Sequence, residues 1–347
     1  MNSAAVPAIA NRLLWLLLLA ICAATQAPIR ACELCAIYST TAARGEAGSG
    51  FLFTLSEQYV AMDTPQYESK PYNLNHDYVD SLYLHIVPTY NFSSRFGISL
   101  NLPYIHRDFK RQDVRFSPGG TIFSEVQGTE SGLGDLAAVL RWTVFQKTEM
   151  EWGVSVNVLA GVKFPTGNAD PIRDEVDQVH LYNELVGPGH FHDALGVTSS
   201  GVHQSMIALG SGSYDGVFGL TTYSRWSRCF FNVQAQYYLR TAGESGYTFG
   251  DEVILSGGPG GYLLLNKACT LSLAANVVYD SQARDSLDGR KSNSTGMTVV
   301  YAGPQLAFTW GRHFSMQAGV DIPAWIQNNG FQNVPDYRAY GGLTWRF

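Results

Sequence analysis

The chain of 347 residues has a formal net charge of −6 at pH 7, with 46% hydrophobic, 13% aromatic and only 15% charged residues. Soluble domains carry about 25% charged residues, so the charged fraction of this chain is lower than is typical of a soluble domain. The mild acidity and the absence of a basic run argue against a nucleic-acid partner bound through its phosphates. The 35 glycines and the many aromatic residues favour a β-rich structure.

The N-terminus has the layout of a secretory signal peptide. Arg12 supplies the positive end, residues 13–24 form a short apolar core, and small residues up to Ala31 offer cleavage sites. The apolar core is shorter than the roughly 20 residues that a membrane-spanning helix needs. We therefore predict a signal peptide over 1–31.

Alternation of apolar and polar residues dominates the rest of the chain, and the clearest run is 152–164. Such alternation is expected where one face of a strand meets lipid and the other a polar lumen. A soluble sandwich also buries one strand face, but segments of about 11 residues match a tilted membrane crossing better. We predict an all-β fold, a transmembrane antiparallel up-and-down β-barrel of about 12 strands over 50–347. The predicted strands are 50–62, 79–92, 96–107, 132–145, 151–165, 214–226, 229–241, 253–265, 269–281, 297–310, 313–325 and 337–347.

The connections between these strands alternate between short and long. Outer-membrane barrels have short periplasmic turns and long outer loops, and a sandwich has no reason to sort its loops in this way. The alternation therefore predicts the outer membrane of a Gram-negative bacterium. The long loops lie near 63–78, 108–131, 166–213, 242–252, 282–296 and 326–336.

The final predicted strand ends on the aromatic residue Phe347. A terminal strand of this kind resembles the signal that the barrel-assembly machinery reads. We expect that machinery and outer-membrane lipid as partners of the chain, and we expect a small-molecule substrate as well.

Four short motifs lie where predicted strands enter or leave the outer loops: 102–107 (LPYIHR), 132–135 (GLGD), 161–167 (GVKFPTG) and 209–216 (LGSGSYDG). Their order and spacing resemble the transporter family named for the MetA pathway of phenol degradation, a group of outer-membrane barrels akin to hydrocarbon and fatty-acid channels. The resemblance implies a channel for small hydrophobic or aromatic compounds. The residues themselves also have a structural reading, because glycine and proline permit bulges and close strand approach at a barrel rim.

Several charged residues fall on the strand face that is predicted to line the lumen. A basic excess there lowers the barrier for anions and raises it for cations. The alternative is that the charges pair with one another and fill a narrow barrel. The lumen candidates are His85, Asp135, Arg141, Lys163, Arg240, Asp321 and Arg338.

The cysteines are unusual for this class of protein. Cys32 and Cys35 form a Cys-x-x-Cys pair within the predicted periplasmic or plug segment 32–49, and Cys229 and Cys269 begin two later strands. In an oxidising periplasm the default is a disulfide, within the pair or to the two strand cysteines. The alternative is a copper or zinc site, because two thiolates at that spacing can hold one ion.

The longest predicted loop, 166–213, is rich in histidine and acidic residues. His190 and His192 could contribute to a metal site, and the alternative is ordinary solvated loop polarity. Loops of this length seldom lack a role, and this one could fold inward to narrow the lumen.

The sequence has no Gly-x-Ser-x-Gly elbow and no phosphate-binding loop, so we predict neither an enzyme nor a cofactor. The leading hypothesis is passive uptake of small compounds through an outer-membrane channel gated by the 166–213 loop. Two alternatives stay open: a metal-binding or metal-responsive barrel, and a structural barrel that docks a periplasmic partner through its N-terminal segment.

Overall fold

The computed structural model describes residues 49–72, 77–117, 119–187, 200–243 and 245–347. The predicted signal peptide and the pair Cys32 and Cys35 lie outside the described residues. Among the described residues, no helix is long and apolar enough to span a membrane.

Strands make up most of the described chain, and two helices lie in the described part of the longest loop. In chain order the elements are β1 (Gly50–Ala61), β2 (Thr64–Tyr67), β3 (Lys70–Pro71), β4 (Tyr78–Asn91), β5 (Phe96–Ser117), β6 (Gly120–Leu133), β7 (Ala137–Thr148), β8 (Trp152–Lys163), α1 (Asp170–Val186), α2 (Gln204–Ile207), β9 (Asp215–Trp226), β10 (Cys229–Leu239), β11 (Tyr247–Thr248), β12 (Glu252–Leu265), β13 (Cys269–Gln282), β14 (Ser286–Leu287), β15 (Arg290–Lys291), β16 (Met297–Trp310), β17 (Phe314–Asn328), β18 (Phe331–Val334) and β19 (Tyr337–Arg346).

The main sheet closes on itself. Its strands follow the order β4-β1-β19-β17-β16-β13-β12-β10-β9-β8-β7-β5-β6, and β4 also pairs with β5. Strand β6 pairs with the outer part of β5, and β7 pairs with the part of β5 nearer the periplasm. The two therefore occupy the same place in the ring, and β6 does not add a further strand to it. The ring therefore has twelve antiparallel strands, and the predicted outer-membrane barrel is confirmed.

Side chains alternate between a buried inner face and an exposed outer face along each barrel strand, as in β4. The outer face is apolar, because it meets lipid, and aromatic rings gather on it at the ends of the short turns. Phe96 stacks on Trp142 with ring centroids 6.1 Å apart, and Phe314 lies 4.8 Å from Trp345. These rings form the aromatic girdle at the periplasmic interface.

The structure corrects two of the predicted loops. The strand predicted to end at 107 continues to Ser117 and turns back as β6, so residues 108–131 form a projecting hairpin. The pairing of Tyr104 with Leu133 and of Asn101 with Ala137 shows that β6 and β7 follow one line along β5, interrupted at residues 134–136. The predicted loop 166–213 contains α1 and α2, which alternation of period 2 could not reveal.

Two small sheets stand on the outer end of the barrel. One joins β18, β2 and β3, and the other joins β11, β14 and β15. Helix α1 packs on the second sheet through Ile172, Val176 and Val179, which form a buried cluster with Tyr247 and Leu287. The outer loops therefore support one another and hold α1 across the barrel end.

Glycine allows close strand approach at Gly303 in β16. A β-carbon at Gly303 would lie 1.7 Å from the backbone oxygen of Val320, whereas one at Gly153 would meet nothing closer than 3.7 Å. We predict that Gly303→Ala destabilises the barrel by about 1–3 kcal/mol through overpacking and that Gly153→Ala is neutral. The test is the temperature at which each folded barrel loses its fast electrophoretic migration; equal temperatures for both variants would contradict the prediction.

Candidate functional site

The longest outer loop enters the barrel mouth. Ile207 at the end of α2 and Leu209 just beyond it are buried against inward-facing side chains of β4 and β5, including Tyr83, Ile105 and Phe109. Apolar burial on this scale holds a loop more firmly than polar contacts at a water-exposed rim. Helix α2 is thus part of the closure of the barrel mouth.

Arg107 on β5 fixes α2 through its backbone. Its Nη1 donates to the carbonyl oxygen of Met206 at 2.6 Å and also to that of Ala208, while Nη2 donates to the Tyr83 hydroxyl at 3.2 Å. The last carbonyls of a helix lack intrahelical partners, so a buried guanidinium at this end satisfies them. The sequence motif 102–107 therefore ends on the residue that holds the loop.

Lys163 at the outer end of β8 is the centre of a buried ionic site, which we call the anchor node: Asp135, Lys163, Ser211 and Asp215. The Lys163 Nζ lies 2.8 Å from Asp135 Oδ2 and 2.7 Å from Asp215 Oδ2, and it donates to Ser211 Oγ at 2.6 Å. Asp135 Oδ2 also accepts from the Ser211 backbone amide at 2.8 Å. The node joins β8, β9 and the break between β6 and β7 to the returning end of the loop.

Two glycines let the loop lie against itself beside the anchor node. A β-carbon at Gly167 would lie 2.6 Å from the Leu209 carbonyl oxygen, and one at Gly210 would lie 2.5 Å from the Gly167 carbonyl oxygen. Asp135 Oδ1 accepts from the Gly167 amide at 3.0 Å. All four sequence motifs thus meet at one place, where they anchor the 166–213 loop.

The ionic contacts continue from the anchor node along the wall. Arg240 lies 3.1 Å from Asp215 Oδ2 and 2.7 Å from Glu252 Oε2. Asp280, on the adjacent strand β13, lies two residues before Gln282, the pairing partner of Glu252. On another strand pair, Arg338 Nε donates to Asp321 Oδ2 at 2.8 Å. The lumen charges of this region are paired with one another.

A cavity of about 280 Å³ lies beneath α2, inside the barrel. We call it the mouth cavity. Its lining includes the apolar residues Val60, Met62, Met206 and Met297 and the charged residues Arg240, Glu252 and Asp280. The cavity is therefore amphipathic, and α2 forms part of its cover.

An apolar belt lines the lumen at the floor of the mouth cavity. Tyr238, Val299 and Tyr301 belong to both the cavity wall and the belt. All members of the belt are buried, so their side chains pack together out of contact with water at this level. The belt consists of Val87, Val139, Leu159, Val217, Tyr238, Ile254, Val278, Val299 and Tyr301.

Towards the periplasm the lumen is polar and nearly uncharged. Hydroxyl and amide groups bond across neighbouring strands, as between Thr54 and Thr344 at 2.9 Å and from Asn157 to Thr221 at 3.0 Å. Arg141 donates to Thr143 and Asn91, both at 2.7 Å, and pairs with no carboxylate among the residues that the structure describes. This half of the lumen suits neutral polar contacts better than ion binding.

His85 is buried in the wall of β4. Its Nδ1 lies 3.1 Å from Asn101 Oδ1, and its ring stacks on Tyr83 with centroids 6.3 Å apart. Tyr83 also receives the Arg107 hydrogen bond, so His85 supports the same wall that holds α2.

Two titratable groups stand out above the membrane-spanning strands. Tyr247, beneath α1, donates to Asp285 Oδ2 at 2.6 Å, and burial together with the nearby Asp285 carboxylate raises the Tyr247 pKa well above its usual range. Burial and the neighbouring Asp336 raise the pKa of Asp63. Neither group lies in the mouth cavity.

The structure brings together some of the predicted site residues and leaves others apart. Asp135, Lys163 and Arg240 meet in one ionic chain, Asp321 pairs with Arg338, and Arg141 and His85 stand separately. The expectation of a basic excess omitted Asp215, Glu252 and Asp280, which also face inward. Asp215 and Asp280 lie at positions whose side chains point inward when alternation is followed along their predicted strands, so the sequence could have identified both as lumen residues. Glu252 lies one residue before the predicted strand 253–265, so alternation within that strand does not reach it.

The predicted metal ligands Cys32, Cys35, His190 and His192 lie outside the described residues. Within the described ranges, no group of three or more histidine, cysteine, aspartate or glutamate side chains could hold a metal ion. Cys229 and Cys269 are both free thiols; the disulfide expected of Cys32 and Cys35, within that pair or to these two, depends on residues outside the described ranges. Cys229 and Cys269 lie two strands apart in the ring, because β12 separates β10 from β13.

Comparison with known proteins supports the architecture. No protein-family model matches the sequence, and no curated protein matches it significantly. The fold is similar to the COG4313 outer membrane channel from Pseudomonas putida F1, with a TM-score of 0.56 and 11% identity, over 88% of this chain and 98% of that chain. Weaker likenesses are CymD, a monoaromatic hydrocarbon channel (TM-score 0.39, 8% identity, 92% and 94% coverage), and a Pseudomonas aeruginosa FadL homologue (0.36, 9%, 86% and 90%).

The first of these likenesses shows the fold, and the chain is an outer-membrane β-barrel. The two weaker ones carry no argument at their TM-scores. Membership of the MetA-pathway family stays a prediction.

The anchor node gives a stability prediction. Lys163→Met leaves Asp135 and Asp215 buried without their shared cation, and breaking a buried pair in this way costs about 3–5 kcal/mol. Lys147→Met is the control, because Lys147 is exposed and lies 3.7 Å from Glu149, a pair worth about 0–1 kcal/mol. Urea unfolding followed by tryptophan fluorescence measures both, and a Lys163→Met barrel as stable as the control would refute the assigned role of the node.

Proposed function

We propose that this chain is an outer-membrane channel for the passive uptake of small compounds with a hydrophobic or aromatic body. The observation that carries the proposal is the mouth cavity, an amphipathic space inside a closed barrel, beneath a loop inserted from outside. The similarity of fold to an outer membrane channel supports it, as does the motif resemblance to the MetA-pathway family, of which we propose the chain to be a member. The function needs no catalytic group and no cofactor.

The proposed gate is the 166–213 loop together with the apolar belt. Compounds enter from the outer side when α2 leaves the mouth, and the buried belt then parts to admit an apolar body. Hydrophobic constrictions raise the barrier for ions without abolishing their passage, because an ion must shed part of its water to pass. The periplasmic half of the lumen offers hydroxyl and amide groups along the exit path.

The gate makes a prediction for conductance. Wild-type protein in planar bilayers should pass little ionic current, and Arg107→Ala should pass several-fold more, because α2 loses the hydrogen bonds that hold its carbonyls. Arg225→Ala is the matched control, since Arg225 bonds to carbonyl oxygens of the periplasmic turns and does not touch the loop. Single-channel recording measures all three proteins.

Passage of an apolar compound is tested in the same bilayers. Benzyl alcohol added to the outer side should reduce the Arg107→Ala current reversibly, because the compound occupies the lumen in place of water. An Arg107→Ala barrel that carries no current, or a current that benzyl alcohol leaves unchanged, would count against the channel.

A further inference from the structure

A second cavity, of about 320 Å³, lies between α1, the projecting hairpin and the loop residues that precede α2. We call it the outer cavity. Asp174 and Asp177 of α1 line it and are exposed, whereas Arg111, Glu175 and His203 line it and are buried. The outer cavity is thus open to the outside at one end and reaches into the buried part of the loop at the other.

One short stretch of chain separates the outer cavity from the mouth cavity. Val202 and Gln204 line the outer cavity, whereas Ser205 and Met206 line the mouth cavity. Among the described residues, the two linings have a single member in common, which is His203. The wall between the two cavities is therefore one residue thick at this position.

The imidazole ring of His203 has partners on two different elements. Its Nε2 lies 3.3 Å from the carbonyl oxygen of Phe331 on β18, and its Nδ1 lies 3.9 Å from Glu175 Oε1 on α1. A carbonyl oxygen can only accept, so Nε2 donates in the first contact. The ring thus bridges α1 and a small sheet across the line that joins the two cavities.

The backbone on either side of His203 is fixed by contacts that do not involve its ring. The Gly201 carbonyl accepts from the Asn333 amide at 2.8 Å, and a β-carbon at Gly201 would lie 2.1 Å from Asn333 Oδ1. Beyond His203, the Arg107 guanidinium holds the carbonyls of Met206 and Ala208. The His203 side chain is therefore the part of the wall that can move while the backbone stays in place.

The outer cavity gives the ring a second position. Its lining is polar there, with Glu175 and Gln178 of α1 and Gln112 of the hairpin. A ring turned into this space leaves the Phe331 carbonyl and finds new hydrogen-bond acceptors. The difference between the two positions is then about one hydrogen bond, which corresponds to roughly twofold to tenfold in an equilibrium.

We propose that the outer cavity is the vestibule of the channel and that the His203 side chain is the partition through which a compound passes into the mouth cavity. The passage opens when the ring turns into the outer cavity, and α2, which begins at the next residue, is then released at its first turn. The inference rests on the proposed function and deepens it by naming the route of entry and the residue that regulates it.

The test measures how fast 2-naphthol, a fluorescent compound with an apolar two-ring body, binds to and leaves the full-length protein in detergent. Stopped-flow fluorescence gives both rate constants, with protein-free detergent as the blank. His203→Ala should raise both rates together, by about threefold to tenfold, and leave the dissociation constant within about twofold. A residue on the route changes both rates alike, whereas a residue that only contacts the bound compound changes the dissociation constant.

Three further variants sharpen the test. Gln178→Trp fills the space into which the ring turns and should slow both rates about threefold or more. His203→Gln keeps a side-chain N–H for the Phe331 carbonyl and should stay within about twofold of the wild type. His180→Ala is the matched control, because His180 is exposed on α1, lies 3.6 Å from Asp288 and lines neither cavity. Fast electrophoretic migration before heating confirms that each variant is folded.

The outcomes separate the partition from the channel itself. Wild-type rates in either His203→Ala or Gln178→Trp, a changed dissociation constant at an unchanged association rate, or no binding of 2-naphthol would overturn the partition and leave the Arg107→Ala conductance standing. Faster exchange in His203→Ala together with slower exchange in Gln178→Trp would support it, even in a barrel that passes no current, in which case only the channel falls.

Discussion

The shared cation of Lys163 is the interaction on which the mouth of this barrel depends. A lysine buried between two aspartates is stable only where every partner is in place, because each charge has lost its water. The partners come from the break between β6 and β7, from the end of the long loop and from the start of β9. One ammonium group therefore fixes the position of the loop, the position of the break between β6 and β7, and the register of the strands.

From that group the arrangement of the lumen follows in layers. The loop held by the anchor node and Arg107 covers the mouth cavity, the cavity rests on the apolar belt, and the belt lies above a polar, nearly uncharged half. In the proposed channel, the loop controls access and the belt selects for an apolar body, in the order in which a compound from outside meets them.

The sequence predicted the barrel well because its two signals are strong. Alternation at period 2 places residues such as Lys163 and Arg338 on the inner face without any knowledge of neighbours, and the sorting of loops sets the topology. The site was less predictable. In the sequence Arg107 is only the last residue of a motif, because its contact with α2 joins residues 99 positions apart. Glycines at 167 and 210 signalled a close approach, but nothing in the sequence names the surface that each approaches.

The pairing of β1 with β19 closes the ring, and Thr54 and Thr344 meet there across 290 positions of sequence. Contacts of such long range form slowly, since the entropy of closing the chain must be overcome before any pairing energy is gained. Until then both strands present free edges that can pair with other chains. The barrel is thus exposed to aggregation until this pairing forms, and the aromatic contact of Phe51 with Phe347 is part of the seam between the two strands.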